Sequence, residues 1–84
     1  MSKNMTFVLV EWNDAHSYDD FATEEEMKLR HTPRKVHSIG LQFLRNAEGI
    51  TLLRDYDDHG EGDGVLFIPR GMIVKVTRLY SGKA

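Results

Sequence analysis

The chain contains no cysteine, which excludes disulfide staples, thiolate metal sites and a cysteine nucleophile. The same absence suits a reducing compartment. No apolar run approaches the ~20 residues that a bilayer-crossing helix needs. The opening Met1-Ser2-Lys3-Asn4 is too short and too polar for a secretion signal. The expectation is a cytoplasmic chain with no membrane partner. No one charge sign dominates either: 11 lysines and arginines stand against 13 aspartates and glutamates, a formal charge of −2. A general nucleic-acid binder carries a basic excess, so that function class is set aside. Prolines number only two, Pro33 and Pro69, and each marks the end of an element rather than a linker.

What is present points to one small β domain. Eighty-four residues leave room for a single domain, and a chain this short buries only about 60–65% of the surface it exposes when unfolded. At 40% hydrophobic residues it belongs with globular sequences rather than disordered ones. Met5 to Trp12 reads as a strand whose faces, Met5, Phe7 and Leu9 against Thr6, Val8, Val10 and Trp12, are both apolar. A half-solvated antiparallel strand alternates apolar with polar residues, so something must cover each side of this one. Lys35 to Leu44 reads as a second strand, with Ile39, Leu41 and Phe43 on one face and Gly40 opposite as a bulge or close-approach point. Arg45 to Gly49 is a hairpin loop leading into a third strand, Ile50 to Tyr56. Asp57 to Gly64 reads as a mobile acidic loop. Val65 to Ile68 and Met72 to Tyr80 supply the last two strands, joined by an Ile68-Pro69-Arg70-Gly71 corner in which proline ends one strand and glycine permits the reversal.

Asn13 to Pro33 is a long connection. Within it Thr23-Glu24-Glu25-Glu26 matches a capping box, so a helical turn or two is expected over Glu24 to Arg30, ended by Pro33. So short a helix is marginal alone and should lie on something. The resulting order is that of a small SH3-like five-stranded antiparallel barrel with one short helix in the long first loop. An OB-type barrel places its helix between strands three and four, which this order does not. Two-faced apolar strands, with Leu53 and Leu66 elsewhere, suggest subunits that cover each other, a homodimer being the commonest solution.

Local motifs for chemistry are weak. Asp14, His16 and Ser17 are neighbours in one loop, whereas a hydrolytic triad is assembled from separate elements around an oxyanion hole. Asp55 to Leu66 begins like a calcium loop but carries leucine where a bidentate glutamate is needed, and both flanks read as strand. The four histidines show no ligand spacing, and the glycines form no phosphate cradle, so neither a metal nor a cofactor is expected. The charge blocks are more useful. Residues 11–26 and 55–63 are acidic, and residues 28–37 and 70–83 are basic. In an SH3-like barrel the long first loop and the Arg70 corner lie near one end of a groove. There Trp12, His16 and Tyr18 would offer stacking faces, while Arg34, Arg70 and His37 would hold charge. The plain alternative is that the arginines pair with Asp19, Asp20 and Glu24 to Glu26.

Three segments carry a resemblance: Val10-x-Trp12-x-Asp14-Ala15-x-Ser17, Ser38-Ile39-Gly40 and Ile68-Pro69-x-Gly71-Met72. With them the chain resembles a family of small phage-encoded proteins that share this start and this close. The resemblance implies a phage or prophage origin and a cytoplasmic place in the host cell, and it brings no activity with it. Small accessory phage proteins often bind a host protein or sequester a nucleotide signal of host defence. The expectation is therefore a non-enzymatic protein that binds an anionic, nucleotide-like ligand. The alternative is an adaptor or inhibitor that meets a host protein through an apolar sheet face and acidic loops.

Overall fold

Residues 5–79 are described by the computed structural model of the chain, and the tetrapeptide at the start and the tail from Tyr80, the expected end of the last strand, lie outside them. The run of β-branched and aromatic residues predicted as the first strand forms β1 (Phe7–Asp14). The Asn13–Pro33 connection holds α1 (Glu24–Leu29), and the chain returns as the long strand β2 (Arg34–Asn46). A two-residue turn at Ala47 and Glu48 leads into β3 (Gly49–Leu53). Asn46 Oδ1 steadies that turn by accepting from the Glu48 N–H at 2.9 Å. Then come β4 (Asp55–Tyr56), β5 (Gly62–Asp63), β6 (Leu66–Pro69), a 3₁₀ turn over Arg70–Met72, and β7 (Ile73–Arg78).

The main sheet is antiparallel throughout, in the order β6-β3-β2-β1-β7. Its two edges are therefore consecutive in sequence and joined by one 3₁₀ turn. Four strand spacings across a flat sheet span roughly 19 Å, whereas four residues reach at most about 14 Å even fully extended. The sheet must curl, and its inner face becomes the core. Val8, Val10, Ile50, Leu52 and Ile68 are buried there, with Trp12, Met72, Ile73 and Val76 packed around them. Gly40 is the close approach expected of it, because a Cβ there would crowd the Leu52 side chain and the Leu53 carbonyl at 3.1 Å.

Three local expectations are corrected. The bulge in β2 falls between Gln42 and Leu44, not at Gly40, and a second bulge falls opposite the Glu11–Trp12 step of β1. The acidic segment is not a plain loop: β4 and β5 pair as a two-stranded sheet. Asp57 Oδ1 gathers the His59 and Glu61 N–H groups at 3.0 and 2.9 Å, and Arg54 bridges Asp55 and Asp63. The capping box is complete, with the Thr23 hydroxyl accepting from the Glu26 N–H and the Glu26 carboxylate from the Thr23 N–H, both at 3.1 Å. Yet α1 buries none of its residues, contrary to the expectation that it packs firmly on the rest of the fold.

The molecule is extended, 56 × 29 × 23 Å with a radius of gyration of 16.7 Å. A compact chain of this length has about 12 Å. The β1–β2 ribbon causes much of this, since it pairs as far as Asp14 and Arg34 and carries the connection with α1 at its tip.

Candidate functional site

The six residues singled out by sequence divide among different places. His16, Tyr18 and Arg34 come together, lining a cavity of about 400 Å³ with Arg30, Glu26 and Pro33 at the tip of the β1–β2 ribbon. Arg70 lines a different cavity, and Trp12 lines neither. Trp12 packs against the core, and its indole N–H donates to Ser38 Oγ at 3.0 Å. His37 stands opposite Glu11 in register, with Nε2 3.4 Å from Glu11 Oε1. The convergence of Trp12, His37 and Arg70 with the ribbon-tip residues is therefore not found. The pleat separates Trp12, of the inner set of β1, from His37, which faces Glu11 of the outer set, while Arg70 is held at the β2–β3 turn, away from the ribbon tip.

At the ribbon tip the side chains largely satisfy one another. His16 Nε2–H donates to the Thr32 carbonyl at 2.7 Å, and its Nδ1 is buried without a partner. The rings of His16 and Tyr18 meet edge to face, with centroids 5.3 Å apart. The Arg30 guanidinium sits 4.1 Å over the Tyr18 ring and binds both carboxylate oxygens of Asp20, at 3.1 and 3.3 Å. That hydrogen-bonded pairing holds the Asp20 carboxyl below its ordinary value and raises Arg30. Glu26 is also lowered, first by the Thr23 N–H it accepts, then by the Thr23 hydroxyl and the nearby Arg30. For Arg30, pairing with the acidic block is what the structure contains. Its charge is already balanced.

The larger opening lies on the inner face. A cavity of about 590 Å³ is lined by Arg45, Asn46, Gly49, Ile50, Arg70 and Ile73, among others. Arg45 and Val76 also line an adjoining cavity of about 280 Å³, which adds Thr6, Gln42 and Arg78. Each position follows from the register. Past the bulge Arg45 pairs with Ile50, and Arg78 pairs with Val8, so both arginines share the parity of core residues. The 3₁₀ turn, tied to the β2–β3 turn by the Arg70 N–H donating to the Glu48 carbonyl at 3.0 Å, brings Arg70 to the same rim. Neither the Arg45 nor the Arg70 guanidinium has an ion-pair or hydrogen-bond partner among the described residues.

Sequence reading selected Arg70 and missed Arg45, Gln42, Asn46 and Arg78. The local sequence places Arg45 in a hairpin loop, and only the bulge at Phe43 turns it inward. Among the described residues no group of three or more histidine, aspartate and glutamate side chains is placed to hold a metal ion. No helix among them is long and apolar enough to cross a membrane. Comparison with protein families, with curated proteins and with solved structures finds no match for this chain.

Proposed function

We propose that the chain is a stoichiometric binding protein for a small anionic, phosphate-bearing ligand, held in the inner-face cavity by Arg45 and Arg70. The observation that carries this reading is two guanidinium groups, without a partner among the described residues, lining a 590 Å³ cavity that Ile73 and Val76 also line. Arginine presents a planar fork matched to phosphate oxygens, and a charged hydrogen bond contributes about 1.5–3 kcal/mol. Ile50, Ile73 and Val76 offer an apolar wall, and Asn46 and Gln42 offer amides able to read the edge of a base. A nucleotide combines these features, and the cavity volume lies within the range of small-molecule sites. The lining supplies charge and shape recognition rather than a nucleophile and base, which favours binding over catalysis. Sequestration of a nucleotide is then the role consistent with a small accessory protein.

The same reading takes the curled sheet as an SH3-like barrel. Support comes from the strand order, the 3₁₀ link between the last two strands and the long excursion between the first two. The cavity is then the opening between the second half of β2 and β7.

The test is a thermal melt of the full chain with pyrophosphate and with adenine and guanine mono- and dinucleotides. At a hundred times the dissociation constant a ligand adds about 2.7 kcal/mol. For a domain this size that raises Tm by roughly ten degrees or more. Arg70→Ala and Arg45→Ala should each weaken binding roughly 10- to 100-fold, while Arg30→Ala should leave it within about twofold. No shift with any of these anions, or shifts unchanged in the Arg45 and Arg70 variants, would reject the reading.

A further inference from the structure

We propose that the inner-face opening is a two-compartment groove for a dinucleotide, two nucleosides joined through one phosphodiester, with Arg45 on the joining phosphate and Arg70 and Arg78 toward the two ends. The assignment rests on the anion-binding reading of the larger cavity and adds the class of nucleotide that fits it. What carries it is how the lining divides between that cavity and the one beside it. Arg45 and Val76 line both. Arg70 and Asn46 belong to the larger compartment, Arg78 and Gln42 to the smaller. Each compartment therefore brings a guanidinium and an amide, and the two meet at a shared arginine and a shared apolar wall.

The register sets up this division. Arg78 pairs with Val8 and Gln42 with Leu52, so both take the inner parity of core residues. The Gln42 N–H donates to the Thr6 carbonyl at 2.9 Å, which closes the far end of the smaller compartment. Arg70 stands at the opposite end of β7, in the 3₁₀ turn that precedes it. Ile73 and Arg78 are five residues apart along that strand, roughly 15 Å. A phosphate or pyrophosphate is one compact anion and engages one end only. Between the ends lies the Val76 side chain, which suits a sugar or a base better than an unbroken run of charge.

The polar chemistry matches two nucleosides. A guanidinium fork takes phosphate oxygens in pairs, and it reads the acceptor edge of guanine equally well. The Gln42 amide carries donors and an acceptor for a base edge. Asn46 Oδ1 is taken by the Glu48 N–H at 2.9 Å, so its NH₂ group is what faces a ligand. Arg78 has an interaction of its own within the chain. Five N–H donors let a guanidinium keep one contact while it binds a phosphate oxygen. Thr6, Gln42, Arg45, Asn46, Arg70 and Arg78 include three cations and no carboxylate, in a chain with more acids than bases. The smaller compartment, about 280 Å³, falls below the usual range for a whole small-molecule site and suits one part of a longer ligand. Those six residues include no aromatic ring, so a long single strand, which gains affinity by stacking its bases on such rings, is the poorer fit.

Isothermal titration of the full chain tests this, comparing ADP and GDP with 5′-phosphoryl diadenylate and diguanylate, which carry the same number of phosphate groups. At least one dinucleotide should bind about 10- to 100-fold more tightly than the matching diphosphate. Arg78→Ala should weaken the dinucleotide about tenfold more than the diphosphate, whereas Arg45→Ala should weaken both. Gln42→Ala should show the same selective loss as Arg78→Ala, and it decides the matter if Arg78→Ala loses the wild-type far-UV spectrum. Diphosphates that match both dinucleotides, or an equal loss for the two ligand classes in either folded variant, would overturn the two-compartment site and leave the anion reading standing. Binding of neither class would remove both.

Discussion

Gly49 borders one turn and Gly71 lies within another, and the fold makes opposite demands on them. Gly49 has φ of +155°, and a Cβ there would collide with the Ile68 carbonyl oxygen and the Phe67 ring. β3 and β6 approach too closely at that point for any side chain. Gly49→Ala is expected to destabilise the protein by about 3 kcal/mol or more, from strain and overpacking together. Gly71 was the residue that sequence reading held responsible for the corner. Its φ is not positive, and a Cβ there meets nothing within 4 Å. The corner is a 3₁₀ turn that ordinary residues form. Gly71→Ala should raise stability by about 0.4–1 kcal/mol, because it restricts the unfolded chain without cost to the folded one. Urea denaturation of the two variants checks both signs.

At the scale of elements, α1 was the most legible and is the least integrated. Its capping box is local chemistry, four residues wide, and every bond of it forms. Contact with the rest of the fold is a property that four residues do not encode, and α1 buries nothing. Thr23→Ala should therefore cost about 1 kcal/mol of local stability. Amide exchange should quicken over residues 24–30, while global unfolding should be unchanged. The pH response is also local. Asp20 and Glu26 are held below their ordinary values of 3.8 and 4.5, and Asp63 is lowered by the Gly64 N–H and by Arg54. A lowered folded-state value means stabilisation that is present above the ordinary value and is lost as pH falls through the folded one. Amide exchange compared at about pH 6 and about pH 3 should show the ribbon-tip connection and the β4–β5 hairpin loosening before the main sheet. All three carboxylates are solvent-exposed, so salt should weaken the effect.

Across the whole molecule, a few buried aliphatic residues hold one curled sheet. Ile50 and Ile68 pair across β3 and β6 and are almost wholly buried. Ile68→Ala should cost about 2–5 kcal/mol, against a total of roughly 4–13 kcal/mol for a chain of this length. The same urea titration should show a large loss, with Ile50→Ala similar. The extended shape and the exposure of Phe7, Ile39 and Phe67 on the outer face both arise at this scale. The two apolar faces of Met5 to Trp12 already announced that one layer of cover was missing. They did not say that the inner face is filled by the chain's own curl while Phe7 and Ile39 of the outer face stay exposed.

The sequence by itself determined the five strands of the main sheet, the single capped helix and the order in which they follow, but not the β4–β5 hairpin, because the former depend on neighbours within a few residues. It also determined that both sides of the first strand are apolar, since alternation has a period of two. Only the tertiary structure decided which arginines line one cavity. One unpaired residue, the bulge between Gln42 and Leu44, exchanges the faces of everything after it in β2 and turns Arg45 into the cavity that Arg70 also lines. No local composition marks that residue, because a bulge is chosen by how two distant strands fit together.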